Sequence, residues 1–171
     1  MAYISTGVEY ALHCLLYLVA PAGGGLEANV RDLAVLQGVP VDYLAKLFTK
    51  LAKAGLLVAT EGARGGFALA RPPAEISFLD VVAAIDGEKP MFECREIRER
   101  CAVFGAEAPK WATTGRCSIH TVMAAAEMRM RDELACHSLA SLAGQVASKA
   151  PPGFSAEIAN WLDSRKVGRR D

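Results

Sequence analysis

Tyr43–Pro73 reads YLAKLFTKLAKAGLLVATEGARGGFALARPP. Within it Leu44, Leu47, Phe48 and Leu51 recur at i, i+3, i+4, i+7, the spacing that gathers apolar side chains on one face of a helix. Ala54-Gly55 ends that helix, because glycine adopts a left-handed C-terminal cap at little steric cost. Two short apolar runs follow, Leu56–Ala59 and Phe67–Ala70, around the tip Glu61-Gly62-Ala63-Arg64-Gly65-Gly66. Apolar runs on either side of a glycine-rich tip predict a β-hairpin, which Pro72-Pro73 closes. A helix feeding a small basic hairpin is the second half of a winged helix-turn-helix, so the stretch points to DNA.

The flanking residues supply the first half. Asn29 is placed to cap a helix over Val30–Gln37 that buries Leu33, Ala34 and Leu36, and Gly38-Val39-Pro40 makes the tight turn into the next helix. Upstream, Ser5 or Thr6 caps a helix to about Ala20, with Val8, Ala11, Leu12, Leu15, Leu16 and Val19 as its core face. Downstream, Ser77-Phe78-Leu79-Asp80 is a capping box for a helix to about Ile85. Residues 88–115 lose periodicity and collect cysteines, and a loop of that length is uncommon unless functional. A long helix over Ser118–Ala135, a Ser138-capped helix to about Ser148 and a short terminal helix containing Trp161 complete the reading. The expected fold is mainly α with a small β-hairpin wing. Residues 1–87 form the winged helix-turn-helix, 88–117 the cysteine loop, 118–150 the long dimerisation helix and its successor, and 151–171 a tail.

With 171 residues, 52% hydrophobic and 22% charged, the chain can bury a core. Its formal charge of zero argues against indiscriminate nucleic-acid binding, yet between Val41 and Pro72 Lys46, Lys50, Lys53, Arg64 and Arg71 oppose only Asp42 and Glu61. The candidate DNA contacts are Tyr43, Lys46, Thr49, Lys50, Lys53 and Arg64, the lysines for phosphates and Arg64 for a minor groove. Tyr10–Ala20 is apolar but too short to span a membrane, and Glu9 and His13 interrupt it, so a cytoplasmic protein is expected. An enzyme acting on a small molecule is not. Gly65-Gly66 lies in a hairpin turn and not at a helix N-terminus, and no oxyanion site accompanies Cys117 and His120.

Several segments together resemble the Rrf2 family of bacterial regulators. They include Val8-Glu9-Tyr10-Ala11-Leu12, Leu51-Ala52-Lys53-Ala54-Gly55-Leu56, Gly65-Gly66-Phe67, Leu69-Ala70-Arg71-Pro72 and Asp80-Val81-Val82, within a match from about Ile4 to about Ala143. The resemblance implies a homodimer joined through the long helix, with Ile119, Val122, Met123, Ala126 and Met130 in the seam, reading a palindromic operator on double-stranded DNA. One departure lies in the wing, where IscR-like members carry an arginine at the position of Glu61 and this chain has Arg64 instead.

Thiolates are the usual ligands of iron–sulfur clusters, with other donors replacing some of them. Cys94, Cys101, Cys117 and His120 are one candidate set, and Glu9 with His13, at i, i+4 on one helix face, is another pair able to share a metal. The likeness to RsrR-type members of the family, in Val8–Cys14 and in Phe92–Arg98, implies a [2Fe–2S] cluster on Glu9, His13, Cys94 and Cys117. Cys101 and His120 are then neighbours or substitutes. The alternatives are a cluster-free regulator working by thiol oxidation or partner binding, and a structural zinc on Cys94, Cys101, Cys117 and His120. Cys14 and Cys136 read as small buried hydrophobes.

Overall fold

In the computed structural model, residues 3–19, 26–60 and 65–167 are described. Helix α1 spans Thr6–Leu16 and stops short of the expected end at Ala20, which lies outside the described residues. Its buried side is Val8, Ala11, Cys14 and Leu15, while Leu12 and Leu16 are only half-buried. Ser5 stands at the N-cap but makes no side-chain cap. Instead its backbone N–H and hydroxyl both donate to the Asp86 carboxylate, at 2.8 and 2.6 Å, which sets a negative charge beside the helix N-terminus.

Helix α2 is Val30–Gln37 and helix α3 is Val41–Lys53. The Asn29 side chain accepts from the Arg31 N–H at 2.9 Å, satisfying one of the donors that a helix start leaves without a partner. Gly38, at φ +71°, closes α2 in the left-handed region and allows the three-residue turn into α3. Leu44, Leu47, Phe48 and Leu51 are all buried, as their spacing requires. Strands β1 (Leu57–Ala59) and β2 (Phe67–Leu69) pair antiparallel, Val58 opposite Ala68.

The wing has a third participant, since Ala28 bridges Phe67 through two backbone hydrogen bonds of 3.1 and 2.8 Å. A Cβ on Gly66 would come within 2.7 Å of the Ala28 carbonyl oxygen, so only glycine permits this approach. The Asn29 side chain also donates to the Gly65 carbonyl oxygen at 3.2 Å, tying the start of α2 to the wing root.

Helix α4 (Phe78–Asp86) starts with the expected Ser77/Asp80 capping box. Two 3-10 turns, Ile97–Arg100 and Ala102–Phe104, and the one-turn helix α5 (Lys110–Thr113) occupy the aperiodic region. Helix α6 runs Ser118–Cys136, helix α7 runs Leu139–Lys149, and helix α8 runs Phe154–Val167. Cys14 is fully buried, but Cys136 is exposed, contrary to expectation, because it ends a helix on which no residue is buried.

The chain divides into two compact units: residues 1–87 with 134–171, and residues 88–133. Residues 134–150 and 151–171, expected apart from the winged helix, therefore belong to the same unit as it. Leu162 of α8 is buried in the core, and the Arg165 Nε donates to Asp32 of α2 at 3.0 Å while its guanidinium lies 4.6 Å from the Trp161 ring. Among the described residues Asp32 is a charged residue buried in the core, and it sits on the helix-turn-helix.

Candidate nucleic-acid interface and sensor residues

Helix α3 packs its apolar face on α1, α2, α4 and β1, which leaves the opposite flank to solvent. Lys46 and Lys53 are exposed on that flank. Lys50 is engaged elsewhere. Its ammonium donates to the Ile85 carbonyl oxygen at 2.6 Å, one of the last four carbonyls of α4, which have no partner within the helix. The Thr49 hydroxyl donates back to the Ala45 carbonyl oxygen at 2.8 Å and keeps its lone pairs for an incoming donor. Tyr43, 39% exposed at the start of α3, meets Tyr10 of α1 edge to face at 5.9 Å. Its hydroxyl covers Gly7, where an added Cβ would approach it to 2.9 Å. Tyr43 therefore aligns α3 on α1 as well as facing outward. Arg64 and Glu61 lie outside the described residues.

The candidate ligands fall on both units. Glu9 and His13 belong to the first, exposed one turn apart on α1. They line an apolar cavity of about 1100 Å³ with Leu12, Leu16 and Tyr17 of the same segment, opposite Val82 of α4, Leu142 of α7 and Ile158 of α8. Half-buried Leu12 and Leu16 thus line the chamber, Leu12 while also packing against the core.

Cys94, Cys101, Cys117 and His120 belong to the second unit. Cys117 is buried, Cys94 half-buried and Cys101 exposed. The Cys94 Sγ donates to the Glu96 carboxylate at 3.4 Å, and Arg98 donates to the other oxygen of that carboxylate at 2.7 and 3.1 Å. The Arg98 bonds, then the Cys94 bond, hold the Glu96 carboxyl below the usual carboxylate range. Arg98 also donates to the Gly115 carbonyl oxygen at 3.0 Å, and its charge interacts with both Cys117 and Cys94. Glu96 holds φ +45°, a left-handed conformation uncommon for glutamate, and its two side-chain partners oppose that strain. Neither Arg98 nor Glu96 is read as functional from the sequence, although both fall within Phe92–Arg98, a segment that carries the resemblance. His120 packs edge to face on Phe92 at 6.3 Å.

Residues 4–145 match the Rrf2 family, described as an iron-dependent transcriptional regulator. The chain belongs to the Rrf2 family. Among relatives, it is 32% identical over 139 residues to Protein rrf2 of Nitratidesulfovibrio vulgaris, covering 81% of this chain and 85% of that protein. A candidate HTH-type transcriptional regulator of Mycobacterium tuberculosis (Rv1287) is 38% identical over 94 residues, 55% of this chain, and the chain spans only 56% of that relative's length. Among solved structures, the T. potens IscR superposes with a TM-score of 0.61 at 20% identity, covering 90% of this chain and 95% of that one. CymR, the global cysteine regulator of B. subtilis, gives 0.58 at 24% identity, covering 85% and 98%. At these identities the two structures establish the Rrf2 fold, a winged helix. Rrf2 proteins are transcriptional regulators and not enzymes. Among the described residues no helix is long and apolar enough to cross a membrane.

Proposed function

We propose that this chain is a cytoplasmic, homodimeric transcriptional regulator that binds double-stranded DNA through its winged helix. A [2Fe–2S] cluster on Glu9, His13, Cys94 and Cys117 controls that binding. The observation that carries the DNA-binding part is the placement of α3, which follows a three-residue turn, abuts the wing and keeps Lys46 and Lys53 exposed. A helix so held can enter the major groove, the lysines neutralising phosphates while Tyr43 and Thr49 face the bases or sugars. Dimerisation is supported by α6, where Ile119 is 66% and Val122 67% exposed on a 19-residue helix with no buried residue. A second copy of that helix would cover the apolar side chains and set two recognition helices on a palindrome.

The donor chemistry fits a mixed-ligand cluster. A carboxylate and an imidazole stand one turn apart on α1, and the Cys94 thiol is bonded to the carboxylate that Arg98 holds. When bound, the cluster supplies one-electron redox chemistry. Arg98 sets a positive charge beside the thiols and offsets the negative charge of thiolate ligation, while Glu96 holds that guanidinium in place. Ligands drawn from α1 of one protomer and the cysteines of its partner would couple cluster state to the relative placement of the two winged helices.

Anaerobic reconstitution followed by DNA binding in both cluster states tests this reading. The expected result is coloured protein with about two irons and two sulfides per chain, a spectrum altered by His13→Ala, and operator affinity that differs between states. Iron-free, colourless protein that still binds an operator would reject the cluster and leave a thiol-based regulator, to be sought as a Cys94–Cys101 disulfide by mass spectrometry. Failure to bind any genomic fragment would reject the DNA-binding assignment itself.

A further inference from the structure

The end of α6 carries a donor set that shares no residue with the sensor ligands. Glu133 and Cys136 stand at i, i+3 on the last turn of α6, and His137 follows directly where the chain leaves the helix. A carboxylate oxygen, the Cys136 Sγ and an imidazole nitrogen lie within 4.8 Å of one another. Their mutual placement is set within a single turn and its closing residue. We infer that this turn is a divalent-metal site, with Zn²⁺ the ion it suits best.

The donor types support zinc. One thiolate, one imidazole and one carboxylate are all ordinary zinc ligands at about 2.0–2.3 Å, and three protein donors leave a fourth position for water or another side chain. Donors around a tetrahedral ion sit roughly 3.5 Å apart. The donor atoms here lie within 4.8 Å of one another, so ligation draws them closer together. The carbonyl end of a helix also favours a cation.

The backbone at the site is held firmly on one side. The Phe78 N–H donates to the His137 carbonyl oxygen and the Leu139 N–H to that of Ile76, both at 2.9 Å, so Ser77 and Ser138 pair as an isolated β-bridge. The His137 ring meets the Phe78 ring edge on at 6.2 Å. Ser138 immediately begins α7 with a capping box to Ser141. His137 is therefore half-buried and oriented before any ion arrives, while Glu133 and Cys136 are exposed and accessible to one. Little further ordering is needed on binding, which is the condition for useful affinity at a three-donor site.

The test uses the full-length reduced protein and Co²⁺ and Zn²⁺ alone as probes. Titration with Co²⁺ should give a thiolate-to-cobalt absorption that Cys136→Ser removes in part, the remainder belonging to the other cysteines. Chelator competition should show Zn²⁺ stoichiometry falling by one equivalent in Cys136→Ser and in His137→Ala, with Glu133→Gln weakening that equivalent about tenfold. Zn²⁺ should also protect Cys136 from alkylation, read peptide by peptide, and continue to do so in Cys94→Ser. Because Cys136 and Glu133 are exposed, their variants test the site even where His137→Ala unfolds. Unchanged stoichiometry and cobalt spectrum in Cys136→Ser, or Cys136 alkylated equally fast with and without Zn²⁺, overturns the proposal.

Discussion

Lys50 shows how one side chain can be read two ways. On α3 it falls between Lys46 and Lys53 and shares their charge, so it looks like a third phosphate contact. Its ammonium instead closes the end of α4 on the Ile85 carbonyl oxygen. The two roles separate experimentally. Lys50→Ala should lower stability by about 1 kcal/mol, the ordinary net worth of such a hydrogen bond, and leave the salt dependence of DNA binding unchanged. Lys53→Ala should leave the melting temperature alone and reduce the slope of log affinity against log salt by about one. Denaturant melts and binding titrations at several salt concentrations check both, and a Lys50→Ala protein of normal stability but shallower salt slope restores the phosphate role. Gly7 and Gly66 belong to the same scale. Each is glycine because another element passes where its Cβ would be, Tyr43 over one and the Ala28 backbone over the other.

Among the elements, α1 has the most demands on it. One side enters the core through Val8, Ala11, Cys14 and Leu15, while Glu9 and His13 open toward the apolar cavity. Burial pushes the Cys14 thiol from 9.0 up to about 12. A thiol that stays protonated in the fold but ionises in the unfolded chain stabilises the fold fully below pH 9.0. That contribution is then lost as pH rises toward about 12. Tyr17, raised by burial and then by Cys14, acts with the same sign. The wild-type protein should therefore lose stability across this alkaline window more steeply than Cys14→Ala, whatever stability the variant gives up at neutral pH. Urea melts at stepped pH measure the two slopes, and parallel slopes would show that Cys14 ionises as readily folded as unfolded. Helix α8 is the element hardest to foresee. Its Arg165 reaches Asp32 across 133 positions of sequence, so the terminal segment braces the helix-turn-helix.

At the scale of the whole molecule, an exposed apolar helix is the feature that a lone chain does not explain. Ile119, Val122 and Met128 are 60–67% exposed on α6. Full burial of one such side chain is worth about 1.5–3 kcal/mol. Val122→Glu should raise the dimer dissociation constant more than about tenfold. Affinity for a palindromic operator should fall with it, whereas affinity for an isolated half-site should hold. Sedimentation equilibrium and footprinting measure these quantities; a wild-type chain that sediments as a monomer would reject the proposed dimer, and a dimer unchanged by the substitution would place the protomer contact elsewhere.

The local rules carried far in this chain. The span of α2, the core face of α3, the Ser77 and Asn29 caps, the hairpin and its closing prolines all follow from interactions among residues a few positions apart, which a sequence displays directly. What the fold alone decided are pairings between distant positions: Ser5 with Asp86, Lys50 with Ile85, Asp32 with Arg165, Ala28 with Phe67. The bond from Arg98 to the Gly115 carbonyl oxygen is of the same kind, since an aperiodic stretch separates the two. The physical reason is that helix periodicity and capping are short-range, whereas the partner of a charge or a carbonyl is chosen by packing. Glu9, His13, Cys94 and Cys117 are legible as donor types for the same reason that α3 is legible as a helix. Cys136 is exposed where a small buried hydrophobe is expected because its burial depends on what covers α6, and no local pattern records that.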